Sequence, residues 1–225
     1  MSQFLKKARA LLPEFLGRLT VRRDSGPVDS VAALSRFVST RSAFMAQKTL
    51  YGYLKTRMGT RYPGMFEDDA FIASIDIAKL QVYAACLADL ALFAAWRTCR
   101  GAPEWLEPEA CRALALACFR QGLADNTAAA ASVAAFSPAE AQADFERRLA
   151  FWDWLDGPQG ADIFRESPAA LVRWAPIAPE LKRHDQEIVE NSLKFKWREV
   201  RRDLDRRLDA AAVAAEARQP ARLPA

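Results

Sequence analysis

From Phe66 to Trp96 the chain holds neither glycine nor proline and is apolar over most of a helical circumference. Pro63-Gly64 breaks any helix that precedes it, and Glu67, Asp68 and Asp69 place acids at the positive end of a helix dipole, with Asp68 or Glu67 available as a cap. Phe71, Ile72, Ile75, Leu80, Tyr83, Leu87, Leu90 and Phe93 then recur at helical spacing, with Ala and Cys between them. A helix apolar on every side belongs in an interior. The stretch therefore predicts a buried central helix over 66–99 that other helices must wrap. Ile77 to Trp96 also approaches the roughly 20 residues that a bilayer core requires. Against a membrane span, Lys79 and Asp89 would each cost about 2.5 to 3.5 kcal/mol near the bilayer centre. Gln81 adds to that penalty, so no transmembrane span is expected.

The flanking sequence supplies the wrapping. Asp24-Ser25-Gly26-Pro27 is a break, Asp29 or Ser30 can cap the next helix, and apolar positions from Leu34 to Met58 keep the helical period through Gly52. Glu107-Pro108-Glu109 opens a helix to about Leu123. Ser137-Pro138-Ala139-Glu140 is a capping box that starts a helix carrying Phe145, Leu149, Trp152 and Leu155 and ending near Asp156-Gly157. Ser167-Pro168 begins a short helix that stops at Trp174. From about Pro179 to Arg218 a long charged helix carries the narrow stripe Val189, Leu193, Trp197, Val200, Leu204 and Leu208. The expected fold is all-α: an irregular bundle of six to eight helices around the central one. A basic amphipathic segment (1–24) precedes a single helical domain (28–212), and a disordered tail (213–225) completes the chain.

Charge is segregated along this frame. Residues 1–61 hold twelve Lys and Arg against three acids, 62–193 hold eleven against twenty, and 194–225 hold nine against five. A basic N-terminal third can neutralise the acidic centre of its own molecule, or it can face an anionic partner. Within 1–24, Lys6, Lys7, Arg9, Arg18, Arg22 and Arg23 lie beside Phe4, Leu5, Leu11 and Leu12, a pattern suited equally to an anionic membrane surface and to packing on its own domain, with a mitochondrial targeting leader as a third reading. Pro13 would kink or divide such a helix.

On the 31–62 helix and loop, steps of three and four residues read Phe37, Arg41, Phe44, Lys48, Tyr51 and Lys55, so cations alternate with aromatic rings. Arg57, Arg61 and Tyr62 extend the series. Cations held beside rings can bind phosphate or carboxylate while their stems stay packed, which makes Arg41, Lys48, Tyr51, Lys55, Arg57, Arg61 and Tyr62 the candidates for anion or partner binding. The structural alternative pairs Arg41 and Lys48 with acids of the central helix, such as Asp69 or Asp76.

Catalytic and metal chemistry find no such pattern. His184 is the single histidine, set among charges, and with Glu187 and Glu190 it makes at most half of a carboxylate metal site. Asp68, Asp69 and Asp76 are not one helical turn apart, and the loop GTRYPG lacks the spacing of a phosphate-binding loop. Cys86, Cys99, Cys111 and Cys118 have no metal-ligand spacing and read as buried free thiols in a reducing compartment. No metal and no cofactor are expected.

The resulting expectation is a non-enzymatic binding protein, an adaptor, assembly factor or chaperone-like module, whose basic N-terminal third meets an acidic protein or an anionic membrane surface. The alternative is an enzyme or carrier for a phosphorylated or carboxylate small molecule at the 31–62 site. Nucleic-acid binding stands third, because mixed charge signs on the C-terminal helix favour internal ion pairs. The expected location is cytoplasmic, with a peripheral position at the inner face of a membrane as its variant.

Overall fold

The computed structural model describes residues 25–127 and 135–219, so Lys6, Lys7, Arg9, Arg18, Arg22 and Arg23 lie outside the described residues. Eight α-helices appear among those described: α1 (Val31–Met58), α2 (Asp69–Gly101), α3 (Pro108–Thr127), α4 (Pro138–Ala150), α5 (Glu166–Trp174), α6 (Pro179–Lys182), α7 (Gln186–Arg207) and α8 (Ala210–Ala217). Helices starting where side-chain caps stood out in the sequence include α1, α2 and α4. Ser30 accepts from the Ala33 amide, Asp68 from the Ala70 and Phe71 amides, and Ser137 from the Glu140 amide. Each such cap is worth about 1 kcal/mol. Gly59, at φ 55, ends α1 in a backbone region that side-chain-bearing residues avoid.

Helix α2 is the centre. Ile75, Val82, Tyr83, Leu87, Leu90 and Leu92 are fully buried along it, and α1, α3, α5 and α8 pack around it. It is also the one described helix long and apolar enough to cross a membrane, but 78% of its most apolar window is covered by the rest of the molecule. The approach of α3 to α2 is closest at Gly122, where a Cβ would come within 2.5 Å of Leu87 Cδ1. Beside it the Tyr83 hydroxyl donates to the Gly122 carbonyl (2.7 Å), and Asn126 Nδ2 donates to Tyr83 Oη (2.8 Å) and Ser39 Oγ (3.0 Å).

Asp89 is buried in the middle of α2 yet fully bonded. Its carboxylate accepts from Arg148 Nη1 (2.8 Å), the Ser167 amide (2.8 Å), Ser167 Oγ (2.7 Å) and the Glu166 amide (3.3 Å). Trp197 Nε1 donates in turn to Ser167 Oγ (3.0 Å). The carboxylate that argued against a membrane span thus caps α5 from across the core and links α2, α4, α5 and α7. Such a group is tolerable in an interior because it is saturated with donors.

Four expectations need correction. The helix after Ser137 stops at Ala150, and the aromatic run beyond it folds as turns that bury Trp154 while leaving Phe151 and Leu155 exposed. The long C-terminal helix is divided twice: residues 183–185 separate α6 from α7, and Leu208 is extended and pairs with Val28, the Val28 amide donating to the Arg207 carbonyl and the Asp209 amide to the Val28 carbonyl, both at 2.9 Å. Residues 213–217 belong to α8 rather than to a disordered tail; Asp209 caps that helix, and Val213, Ala214 and Ala217 are buried. Glu216 then accepts from the Val31 amide (2.9 Å), supplying negative charge to the start of α1, whose first turn has no acid of its own. Finally, Cys99 and Cys111, with Cα atoms 6.3 Å apart, form a disulfide between α2 and α3, and only Cys86 and Cys118 are buried free thiols.

Candidate functional site

The alternating face of α1 meets α7, which runs antiparallel to it. At one end Arg41 Nη2 binds Asp203 (2.7 Å), which also receives Arg206 (2.5 Å) and Arg207 (3.3 Å). Burial raises the pKa of Asp203, but the Arg206, Arg41 and Arg207 guanidiniums outweigh it and hold the carboxyl below its ordinary value. The Arg41 and Arg207 guanidiniums both stand over the Phe37 ring, 5.5 and 5.2 Å from its centroid. At the other end Asp185, almost completely buried, accepts from Arg57 Nε (2.7 Å) and the Tyr53 hydroxyl (2.5 Å), and Arg57 Nη2 makes a second contact. Two of the seven candidates, Arg41 and Arg57, therefore fasten α7 to α1. The carboxylates come from the C-terminal part of the chain and not from α2, whose Asp76 is bound instead by Lys79 one turn along (2.7 Å).

Between these two fastenings the charge is not balanced. Lys48 is exposed, with its ammonium 5.2 Å from the Phe44 ring, and Lys196 of α7 is half-buried. Burial, and then the Lys48 charge, pull the Lys196 ammonium below the ordinary lysine pKa. Neither ammonium has a carboxylate partner among the described residues. Phe44 and Phe195 are 37% and 60% exposed on the same two helices, and Arg198 stands over the Phe195 ring at 4.7 Å. Two like charges on a surface with uncovered aromatic rings favour the arrival of an anion.

The remaining candidates lie apart from this pair. Lys55 and Arg61 are exposed. Tyr51 faces α2, where burial, then Tyr62 and Asp76, push its hydroxyl above the ordinary phenol range, and that hydroxyl has no hydrogen-bond partner among the described residues. Tyr62 packs edge-on against Phe66, with ring centroids 5.2 Å apart. The seven residues do not converge on one pocket. The sequence reading missed Lys196 and Phe195: their signal, a cation next to an aromatic residue on the solvent side of a charged helix, gains meaning only once α7 is known to lie along α1.

Among the described residues no three His, Cys, Asp or Glu side chains gather as metal ligands, and His184 is exposed. A cleft of about 550 Å³ opens between α2, α4 and α5, and none of the seven candidates lines it. The chain matches no protein-family model, no curated protein and no solved structure. A functional reading must therefore come from the chemistry of its own surface.

Proposed function

We propose that the protein is a non-enzymatic helical binding module that receives an acidic partner on the face shared by α1 and α7. The observation that carries the reading is the Lys48 and Lys196 pair: two ammoniums near one another, without a carboxylate, between two fastenings in which every arginine has one. A surface built only for stability would be expected to neutralise that pair as it neutralises Arg41 and Arg57. Exposed Phe44 and Phe195 add apolar contact beside the charge, the combination that protein interfaces favour. A carrier of small anions is less well supported, because Arg41 and Arg57 already hold carboxylates of the same chain.

Binding of the full chain to a glutamate-rich peptide, measured calorimetrically at low salt, tests the proposal. Saturable binding that weakens steeply with salt is expected, and the K48E/K196E variant is expected to lose it while keeping its helical content. Phosphatidylserine vesicles form the second arm. Retention on vesicles with no peptide binding would move the partner from protein to membrane, and peptide binding unaffected by K48E/K196E would overturn the site. A chain lacking residues 1–24 shows whether that segment shares the contact.

A further inference from the structure

The cleft between α2, α4 and α5 lies away from the lysine pair and has a different chemistry. Its floor is a bed of alanines, Ala84, Ala85 and Ala88 from α2, Ala141 from α4 and Ala170 from α5, so the backbones of three helices can approach an occupant closely. Its walls are aromatic: Phe136, Trp174, and Phe119 stacked on Phe145 with ring centroids 4.4 Å apart. At about 550 Å³ it falls within the size range of small-molecule sites.

Five ionisable residues line the cleft, and two are already neutralised. Asp144 is bound by Arg147, and Arg148 is held by buried Asp89 and by the Ile163 carbonyl (2.7 Å). That leaves the carboxylates of Glu140 and Glu166 against the single guanidinium of Arg173, which lies over the Trp174 ring at 5.1 Å. Gln81 donates its amide to the Ala135 carbonyl (3.0 Å), which leaves its oxygen as an acceptor. The polar rim is thus acceptor-rich and net negative, which attracts a cation.

We infer that this cleft binds a small cationic amphiphile, a molecule with an apolar chain or ring body for the alanine bed and one ammonium-type head for Glu140 and Glu166. Size and apolar lining alone would accept many molecules; the charge balance at the rim selects the sign of the head group.

The test is calorimetric titration of the full chain with decyltrimethylammonium and, separately, with decyl sulfate, both below their micelle concentrations. The cation is expected to bind in a saturable manner and at least several-fold more tightly than the sulfate. Removing both rim charges in E140Q/E166Q should weaken the cation roughly two- to fivefold per carboxylate, the range of exposed ion pairs. A169W, at an exposed position on the cleft wall, should block both ligands with the circular dichroism spectrum unchanged. Equal or tighter binding of the sulfate, insensitivity to E140Q/E166Q, or absence of binding to either probe would each overturn the inference. The rim variant decides the question even if A169W perturbs the fold.

Discussion

The carboxylate of Asp89, without solvent exposure, lies 2.8 Å from Arg148 Nη1, and the same group receives both polar hydrogens of Ser167. One side chain in the middle of the central helix therefore fixes the end of α4 and the start of α5, and through Ser167 it orients Trp197 of α7. The aromatic packing around it depends on that alignment: Phe164 sits 4.6 Å from Trp197 and 5.3 Å from Phe93, centroid to centroid. The apolar core and the buried polar network are one construction, and the polar part sets which helices meet.

Removing this carboxylate while leaving its donors should be among the most damaging single changes in the chain. Asp89→Ala leaves the Arg148 guanidinium with the Ile163 carbonyl but no counter-charge, and the first amides of α5 without their acceptor, at an expected cost of about 3 to 5 kcal/mol. Denaturant unfolding reads this as a lower midpoint with an unchanged slope. The double change Asp89→Leu with Arg148→Met should be less harmful than Asp89→Ala, since it leaves no unpaired buried charge. A loss below about 1 kcal/mol for Asp89→Ala, the range of an ordinary surface pair, would show that the network does not bear on stability.

Asp203 gives a dependence on pH. Its folded pKa is depressed, because the Arg206, Arg41 and Arg207 guanidiniums outweigh the effect of burial. A depressed acid stabilises the fold above its unfolded pKa, about 3.9, and that contribution is lost as pH falls through the lower folded value. Thermal midpoints of the native chain and of Asp203→Asn should therefore differ most near neutrality and converge below about pH 4. A gap that stayed constant far into acid would show that the carboxylate contributes through shape and not through charge.

Local signals were legible in the sequence, and pairings across the fold were not. Ser30, Asp68 and Ser137 announce their helices because a cap acts within three residues of itself, and the apolar circumference of α2 announces burial because burial is a property of the whole segment. Arg41 gives no hint that its acid is Asp203 and not Asp76, since that choice depends on α7 lying along α1. Asp89 registers in the sequence only as a penalty for a membrane, because its donors come from residues at least 59 positions away. The break at Leu208 is likewise imposed by a distant partner, Val28, in a stretch whose own helical preference runs on. The Lys48 and Lys196 pair belongs to the same class, which is why half of the candidate site was invisible.

The cysteines offer a chemical count. Of four, Cys99 and Cys111 are joined across a separation of 12 residues, while Cys86 and Cys118 are free and buried. Burial, only partly offset by the Ser35 hydroxyl, pushes the Cys118 thiol up to about 12, and burial with nearby Asp89 raises Cys86 as well. Native protein should react with neither maleimide nor Ellman reagent, and protein denatured without reductant should show two thiols. Cys99→Ser with Cys111→Ser should lower stability by about 3 kcal/mol, the value for a loop of this size. Four reactive thiols on denaturation would mean that the bridge is absent.

The contact between α3 and α2 is tight enough for one methyl group to matter. A Cβ on residue 122 would stand 2.5 Å from Leu87 Cδ1 and 2.9 Å from its Cδ2, while Tyr83 Oη lies at 3.2 Å. Gly122→Ala would ordinarily favour a helix by about 1 kcal/mol. Here overpacking should win, with a net loss of about 1 to 3 kcal/mol, because Leu87 is fully buried and cannot move aside without disturbing α2. The Tyr83 hydroxyl bond to the Gly122 carbonyl should lengthen in the same step, which ultraviolet absorbance of the buried phenol can follow. Adding Leu87→Ala to Gly122→Ala should cost less than the two single changes summed, since the cavity left by one receives the methyl of the other. A stabilised Gly122→Ala protein would mean that the two helices stand further apart than this contact requires.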